Sequence, residues 1–299
     1  MIDHTEFIQF ALSHGLIIKE LYPSQKIRRC PTLEKPKSLN GAYLFDGEKG
    51  WVTDWGKNSK PAWFKSNQAR VYSDEERRQW ALKREAERQV LEKQYADKAH
   101  EAAQIIRMAR LDTHPYLAGK GFPDEKGLVL NGRLIIPMCN VLNNQIQGYQ
   151  EVRWDSQNKE YTKKMMYGAK AKDGVFCMGN HPNDHYWLVE GYATGLSVKR
   201  ALNALGLDDT VVVCFSAHNI LNVAPRLNGE RYVFADNDAS QTGEKTAKKT
   251  GLPWVMSDTV GFDANDLHNQ YGLSAVIEKI ENVRSERFFE QSRFANLKY

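Results

Sequence analysis

The sequence predicts an α/β protein: a parallel sheet flanked by helices, preceded by a small α+β N-terminal domain and a long charged helix. Three observations carry this. From Tyr186 onward, short apolar segments alternate with short amphipathic stretches, the period of strands joined by helices. Between residues 73 and 112 neither glycine nor proline interrupts a run of mixed charge. Before residue 72 the chain is rich in turn formers and tryptophan.

Residues 1–72 open with Glu6-Phe-Ile-Gln-Phe-Ala-Leu-Ser13, whose apolar spacing fits a short amphipathic helix stopped near Gly15. Ala42-Tyr-Leu-Phe45, Asp46-Gly47 and Gly50-Trp-Val-Thr-Asp-Trp55 read as a β-meander with an Asp-Gly turn. Tryptophans in so small a sheet ordinarily form its core, and Trp51, Trp55 and Trp63 are expected there. Beside Arg28 and Arg29 they have a second use, stacking bases while the guanidinium groups hold phosphates. Arg28, Arg29 and Trp55 are therefore the candidate template contacts of this region.

Ser73 and Glu76 have the spacing of a capping box and start the helix over 73–112. Apolar positions are sparse in its first half, so that half is expected to be solvated and to link two domains. Residues 113–185 turn β-rich and basic. Gly127-Leu-Val-Leu130 and Arg133-Leu-Ile-Ile-Pro137 flank Asn131-Gly132, a strong hairpin signal, and a further strand is expected from Ile146 to Trp154. Lys159, Lys163, Lys164, Lys170 and Lys172 follow, either neutralising phosphates on a cleft wall or forming an ordinary solvated surface.

Residues 186–272 read as strand 186–190, helix 194–205 stopped by Gly206, strand 211–215, and a short helix ending before Pro225. Strand 231–235, helix 243–250 stopped by Gly251 and a strand from Pro253 to Met256 complete the alternation. Residues 273–299 form a C-terminal helix.

In an open α/β sheet the residues just past the carboxyl ends of parallel strands line the ligand crevice. Trp187-Leu-Val-Glu190 and Tyr232-Val-Phe-Ala-Asp236-Asn-Asp238 each stop at carboxylates, which places three acids on one rim. Such a cluster calls for a cation, and Mg²⁺ takes a few carboxylates together with substrate phosphates and water. For any single acid the plainer use is to cap the following helix or to stay solvated.

Glu190-Gly191 after one strand and Asp236-Asn-Asp238 after another resemble the TOPRIM domain shared by bacterial-type primases, topoisomerases and some nucleases. Four segments are similar, in order, to those of phage and plasmid primases: Glu190-Gly-Tyr-Ala-Thr-Gly-Leu-Ser197, Phe215-Ser-Ala-His-Asn-Ile-Leu221, Ala235-Asp-Asn-Asp-Ala-Ser-Gln-Thr-Gly243 and Gly261-Phe-Asp263-Ala-Asn-Asp266-Leu267. His114-Pro-Tyr-Leu-Ala-Gly-Lys120-Gly121 resembles a segment that precedes the catalytic core in the same group. The resemblance implies a TOPRIM-like sheet and Mg²⁺-dependent nucleotidyl transfer, with Mn²⁺ as a substitute. It implies Glu190, Asp236 and Asp238 as catalytic acids and metal ligands, with Asp263 or Asp266 completing the site. It also implies that Lys163 or Lys164 faces the cleft. Thr194 stands where cellular primases carry aspartate, as it does in the phage and plasmid relatives.

The function implied is synthesis of short RNA primers on single-stranded DNA from NTPs during phage or plasmid replication, beside a separate replicative helicase. The alternatives are a TOPRIM metal-dependent nuclease and a non-catalytic nucleic-acid-binding replication accessory protein. The four cysteines, Cys30, Cys139, Cys177 and Cys214, form no Cys-x-x-Cys pair, so no structural zinc is expected. Thr242-Gly-Glu-Lys-Thr246 lacks the glycine spacing of a phosphate-binding P-loop. A net charge of +4 leans mildly toward polyanionic partners. No apolar run reaches the ~18–20 residues of a membrane span, and the N-terminus has no signal design, so a cytoplasmic protein is expected.

Overall fold

Apolar strands separated by short helices can bury both faces only by lying side by side with helices above and below. The chain does this in its second half. The computed structural model describes residues 4–21, 23–57, 60–65, 74–179 and 184–295. It divides into two units, Met1–Glu85 and Ala86–Tyr299.

The first unit holds helix α1 (Thr5–Ser13) and an antiparallel sheet in the order β1 (Ser24–Cys30), β2 (Gly41–Phe45), β3 (Lys49–Asp54), β4 (Ala62–Lys65). Asp46 Oδ1 accepts the Glu48 and Lys49 amides and closes the β2–β3 turn, where Gly47 sits at φ 107°. Phe7 of α1 stacks on Phe45 at 4.3 Å and meets Phe64 edge-on at 5.3 Å; Tyr43, Val52, Leu16 and Cys30 fill out this core. The tryptophans are not in it, which corrects the sequence expectation: Trp55 is 53% exposed and Trp63 75%. The reason is the period of two. Phe45, Gly50 and Phe64 are cross-strand neighbours on the face under α1, so their chain neighbours Leu44, Trp51 and Trp63 are turned to the other face.

Helix α2 spans Asp74–Met108. It stops short of the predicted 112 because Arg110–Thr113 pairs as strand β5 with β6 (Lys126–Leu130). The Ser73–Glu76 capping box lies outside the described residues. The last turns of α2, where apolar residues gather, are buried: Ala102, Ile105 and Ile106 pack against Ile135, Tyr149 and Met166.

In the second unit follow α3 (Pro115–Gly119), β7 (Arg133–Asn140), β8 (Ile146–Asp155), β9 (Glu160–Met165), β10 (Gly174–Met178) and β11 (His185–Val189). Asn131 and Gly132, both at positive φ, make the tight turn between β6 and β7. The remaining elements are α4 (Tyr192–Ala204), β12 (Thr210–Val213), α5 (Ala217–Val223), β13 (Glu230–Ala235), α6 (Thr242–Thr250), β14 (Trp254–Met256), α7 (Ala264–Tyr271) and α8 (Leu273–Ala295).

Strands β14, β13, β11 and β12 lie in that order and are mutually parallel. The expected parallel sheet is only part of the whole. Antiparallel β10 covers the β12 edge and joins it to β7, β6 and β5, while β8 and β9 branch from β7. An open parallel edge would leave a row of unpaired backbone groups, and β10 removes it. Alternate side chains of the parallel strands serve the two faces. Trp187, Val189, Val211, Val213 and Phe234 pack with α4, α7 and α8, whereas Tyr186, Leu188, Val212 and Val233 pack with α5 and α6. The connection after β12 crosses back over β11 to β13, so the strand order reverses at β11, where an α/β sheet opens its crevice. No helix among the described residues is long and apolar enough to cross a membrane.

Candidate active site

Glu190 follows β11 directly, and Asp236 follows the neighbouring β13. They share a cleft of about 610 Å³ with Asp238, Ser216, Ala217, His218, Ser240 and Thr242. One wall is a sharp turn after β12. Phe215 adopts φ 63°, a left-handed conformation that an aromatic residue rarely takes, and its amide donates to the Glu190 carbonyl at 2.9 Å. The turn aims the start of α5 into the cleft, where the Ala217 amide donates to the Glu190 carboxylate. Nothing in the sequence around Phe215 signals this backbone conformation.

The opposite wall is the loop from β13 to α6. Asp238 accepts from the Ser240 hydroxyl and from the Thr242 and Gly243 amides at 3.2 and 3.0 Å. It therefore caps α6, and these bonds hold its carboxyl below the ordinary range. Gly243 is required by closeness: a Cβ there would stand 2.1 Å from the Asp236 carbonyl oxygen. Asn237 fixes the same loop through its amide to the Phe262 carbonyl at 3.1 Å and its side chain to the Ser257 carbonyl at 2.9 Å.

Asp236 is the uncompensated member. Its Oδ1 is buried without a hydrogen-bond partner. Burial first, then the charges of Asp263 and Glu190, push its pKa from 3.8 up to about 8, against the pull of Lys163. Glu190 is raised as well, chiefly by burial, with Asp238 and Asp263 adding to the shift. Asp263 thus lies within the electrostatic reach of both.

Asp263 and Asp266 divide. Asp263 caps α7 through the Asn265 and Asp266 amides at 2.6 and 2.9 Å, and its Oδ2 accepts the Thr194 hydroxyl at 3.0 Å. Asp266 returns the capping box to the Asp263 amide at 3.2 Å, has Lys120 Nζ 3.9 Å away, and lines a second cavity with Gly261, Phe262, Asn269 and Gln270. Neither aspartate lines the Glu190–Asp236–Asp238 cleft itself; what sets Asp263 apart is that its charge is felt by both Asp236 and Glu190. The lysines divide likewise. Lys163 pairs across β9 with Val152, stands 5.8 Å over the Tyr116 ring and pulls on both Asp236 and Glu190. Lys164 pairs with Glu151 and belongs to the other face of β9. Tyr116, which sequence reasoning missed, is 4% exposed, and its buried hydroxyl has no partner. Burial pushes that hydroxyl up to about 12. Arg28, Arg29 and Trp55 belong to the first unit, where the Arg29 guanidinium lies 4.0 Å over the Trp55 ring.

Among the described residues no three acids, histidines or cysteines gather closely enough to encage an ion by themselves. Three of the expected acids, Asp238, Asp263 and Asp266, are committed to hydrogen bonds at helix starts. The buried, unpartnered Asp236 oxygen nevertheless fits a cation that takes one or two carboxylates and completes its shell with phosphate and water, which is the usual manner of Mg²⁺.

No family model matches the chain, and no curated protein matches it. Among solved structures it is similar to one titled "Structure of the DnaG catalytic core", at 15% sequence identity and a TM-score of 0.38 over 66% of this chain and 72% of that one.

Proposed function

We propose that the protein is a primase-type nucleotidyltransferase acting on single-stranded DNA, with Glu190, Asp236 and Asp238 as its catalytic acids. The observation that carries this reading is the Asp236 carboxylate, half-buried with one oxygen fully buried and unpartnered, beside Glu190 at the carboxyl ends of adjacent parallel strands. The ordered set of TOPRIM-like segments in the sequence supports the same choice. Mg²⁺, when bound, neutralises phosphate charge and orients an attacking 3′-hydroxyl and a leaving pyrophosphate.

The chain's own residues supply the rest. Asp236 presents an acceptor oxygen that burial keeps from water. Glu190, raised by its surroundings, is suited to hold and release a proton at the reacting hydroxyl. Asp238 presents the cleft side of a carboxylate already fixed by α6. Lys163 meets nucleotide or template phosphate on the facing wall. Asp263 acts through Thr194 and through its field on Asp236, completing the set in preference to Asp266. RNA primers, a phage or plasmid setting and a separate helicase partner belong to this proposal on the strength of the resemblance alone.

The test is de novo synthesis with single-stranded DNA, labelled NTPs and Mg²⁺. Short products from the wild type that vanish in Asp236→Asn are expected. Cleavage of the template instead would establish the nuclease, and neither activity with Mg²⁺ or Mn²⁺ would leave a binding module.

A further inference from the structure

We propose that the face of the β1–β4 sheet turned away from α1 is a stacking surface for single-stranded nucleic acid, built from cross-strand rungs of tryptophan and lysine. It extends the reading above, on which it rests for its role in holding template, yet it uses residues outside the acid cleft.

Alternation fixes what this face carries. Trp51 pairs with Trp63 across β3 and β4, with Leu44 opposite Trp51 on β2. In the next rung on the same face Lys49 pairs directly with Lys65, and both are exposed. Toward the other end Arg29 lies opposite Ala42, its Nε donates to the Leu39 carbonyl at 2.8 Å, and its guanidinium covers the Trp55 ring. Like charges directly opposite on adjacent strands destabilise a sheet. Among the described residues neither Lys49 nor Lys65 has an acidic partner within 4.0 Å. An anion seated between them relieves the repulsion, and the tryptophan rung beside it offers the flat apolar surface that an unpaired base needs.

Charge selects the same occupant. Residues 1–72 hold 11 Lys and Arg against 7 Asp and Glu, whereas the rest of the chain holds 30 of each, so the whole excess positive charge belongs to this region. A protein partner is a poorer match, because the centre of a protein interface is depleted of charge and here two lysines adjoin the aromatic pair. Duplex keeps its bases stacked on one another and has none to offer Trp63.

The full-length chain is titrated against fluorescent oligo(dT) and against a duplex of equal length, by anisotropy over a range of salt. The wild type is expected to prefer oligo(dT). Trp63→Ala weakens that binding at least about fivefold, and Trp63→Phe recovers most of it. Because Trp63 is 75% exposed, both variants keep the wild-type melting curve. Lys49→Glu with Lys65→Glu lowers the slope of log affinity against log salt by roughly 1.4, two phosphates' worth for a single strand. Lys19→Glu, outside the sheet, leaves the affinity of oligo(dT) within about twofold. Wild-type affinity in the Trp63→Ala and double-lysine variants, an equal loss in Lys19→Glu, or equal binding of duplex overturns the proposal. Synthesis on the same template is scored separately: its absence with these binding effects intact counts against the acid cleft alone.

Discussion

The Thr194 hydroxyl donates to Asp263 Oδ2 at 3.0 Å, joining the first turn of α4 to the cap of α7. Thr194 is 1% exposed, so the bond is made out of water on one side. Asp263 already spends its Oδ1 on the Asn265 and Asp266 amides, and Thr194 fixes the remaining oxygen. Thr194→Val keeps the volume and removes the donor. It is expected to lower stability by about 1 kcal/mol in urea unfolding and to slow synthesis several-fold, with Thr194→Ser retaining both. A midpoint unchanged by the valine would mean that water replaces the hydroxyl.

The raised Asp236 carboxyl makes the cation-free protein sensitive to pH in a defined sense. Its folded pKa is about 8 against 3.8, so between those values the folded chain holds a proton that the unfolded chain releases. Stability from this group is therefore greatest on the acid side and is lost as pH rises toward 8. In EDTA, Asp236→Asn is expected to flatten that slope and to be about 2 kcal/mol more stable than wild type at pH 8, the gap closing below pH 5. Urea midpoints of the two proteins from pH 5 to 9 measure this. Parallel curves would show that Asp236 is solvated as an ordinary carboxylate.

Gly243→Ala tests how closely α6 must approach the end of β13. The added methyl would stand 2.1 Å from the Asp236 carbonyl oxygen, and the nearest atoms all belong to the Asp236 backbone, so no side chain can swing aside. Moving α6 away also weakens the Gly243 amide bond to Asp238. A loss of about 2 kcal/mol and of most synthesis is expected, measured by thermal melting and by primer yield. An active, stable Gly243→Ala protein would place the loop further from Asp236 than it stands here.

The acids were legible because a strand ending at a carboxylate leaves its signature in consecutive residues: Val189 then Glu190, Ala235 then Asp236. Strand and helix positions after Tyr186 were legible for the same reason, each element being a local pattern. What stayed hidden depends on partners distant in sequence. Trp63 is apolar and lies in a strand, yet its face is decided by Phe64 meeting α1. Leu111 sits at the end of a helical pattern but pairs with Leu128. Asp263 and Asp266 are three residues apart and equally acidic; only the fold turns one toward Thr194 and the other toward Lys120. Lys163 and Lys164 are adjacent lysines on opposite faces of β9, a difference no composition carries.

Asn265 is the deepest tie between the Lys120 segment and the acid-bearing half of the second unit. It is fully buried, and its Nδ2 donates to the Lys120 carbonyl at 2.8 Å and to Ser197 Oγ at 3.2 Å. Ser197 in turn bonds His268 Nδ1 at 3.1 Å, so one amide holds α3's exit, α4 and α7 together. Asn265→Ala leaves the Lys120 carbonyl without its shorter bond and opens a small void, and a loss of about 2 kcal/mol is expected in urea unfolding. Asn265→Asp is the sharper variant. It keeps the shape but offers only acceptors to two groups that include a carbonyl, and it adds a charge between Asp263 and Asp266. It should be the less stable of the two above pH 6 and approach Asn265→Ala as the pH falls and the new carboxyl takes a proton that it can donate. If both variants unfold together at every pH, the Lys120 carbonyl is satisfied by solvent and the tie does not bear on the fold.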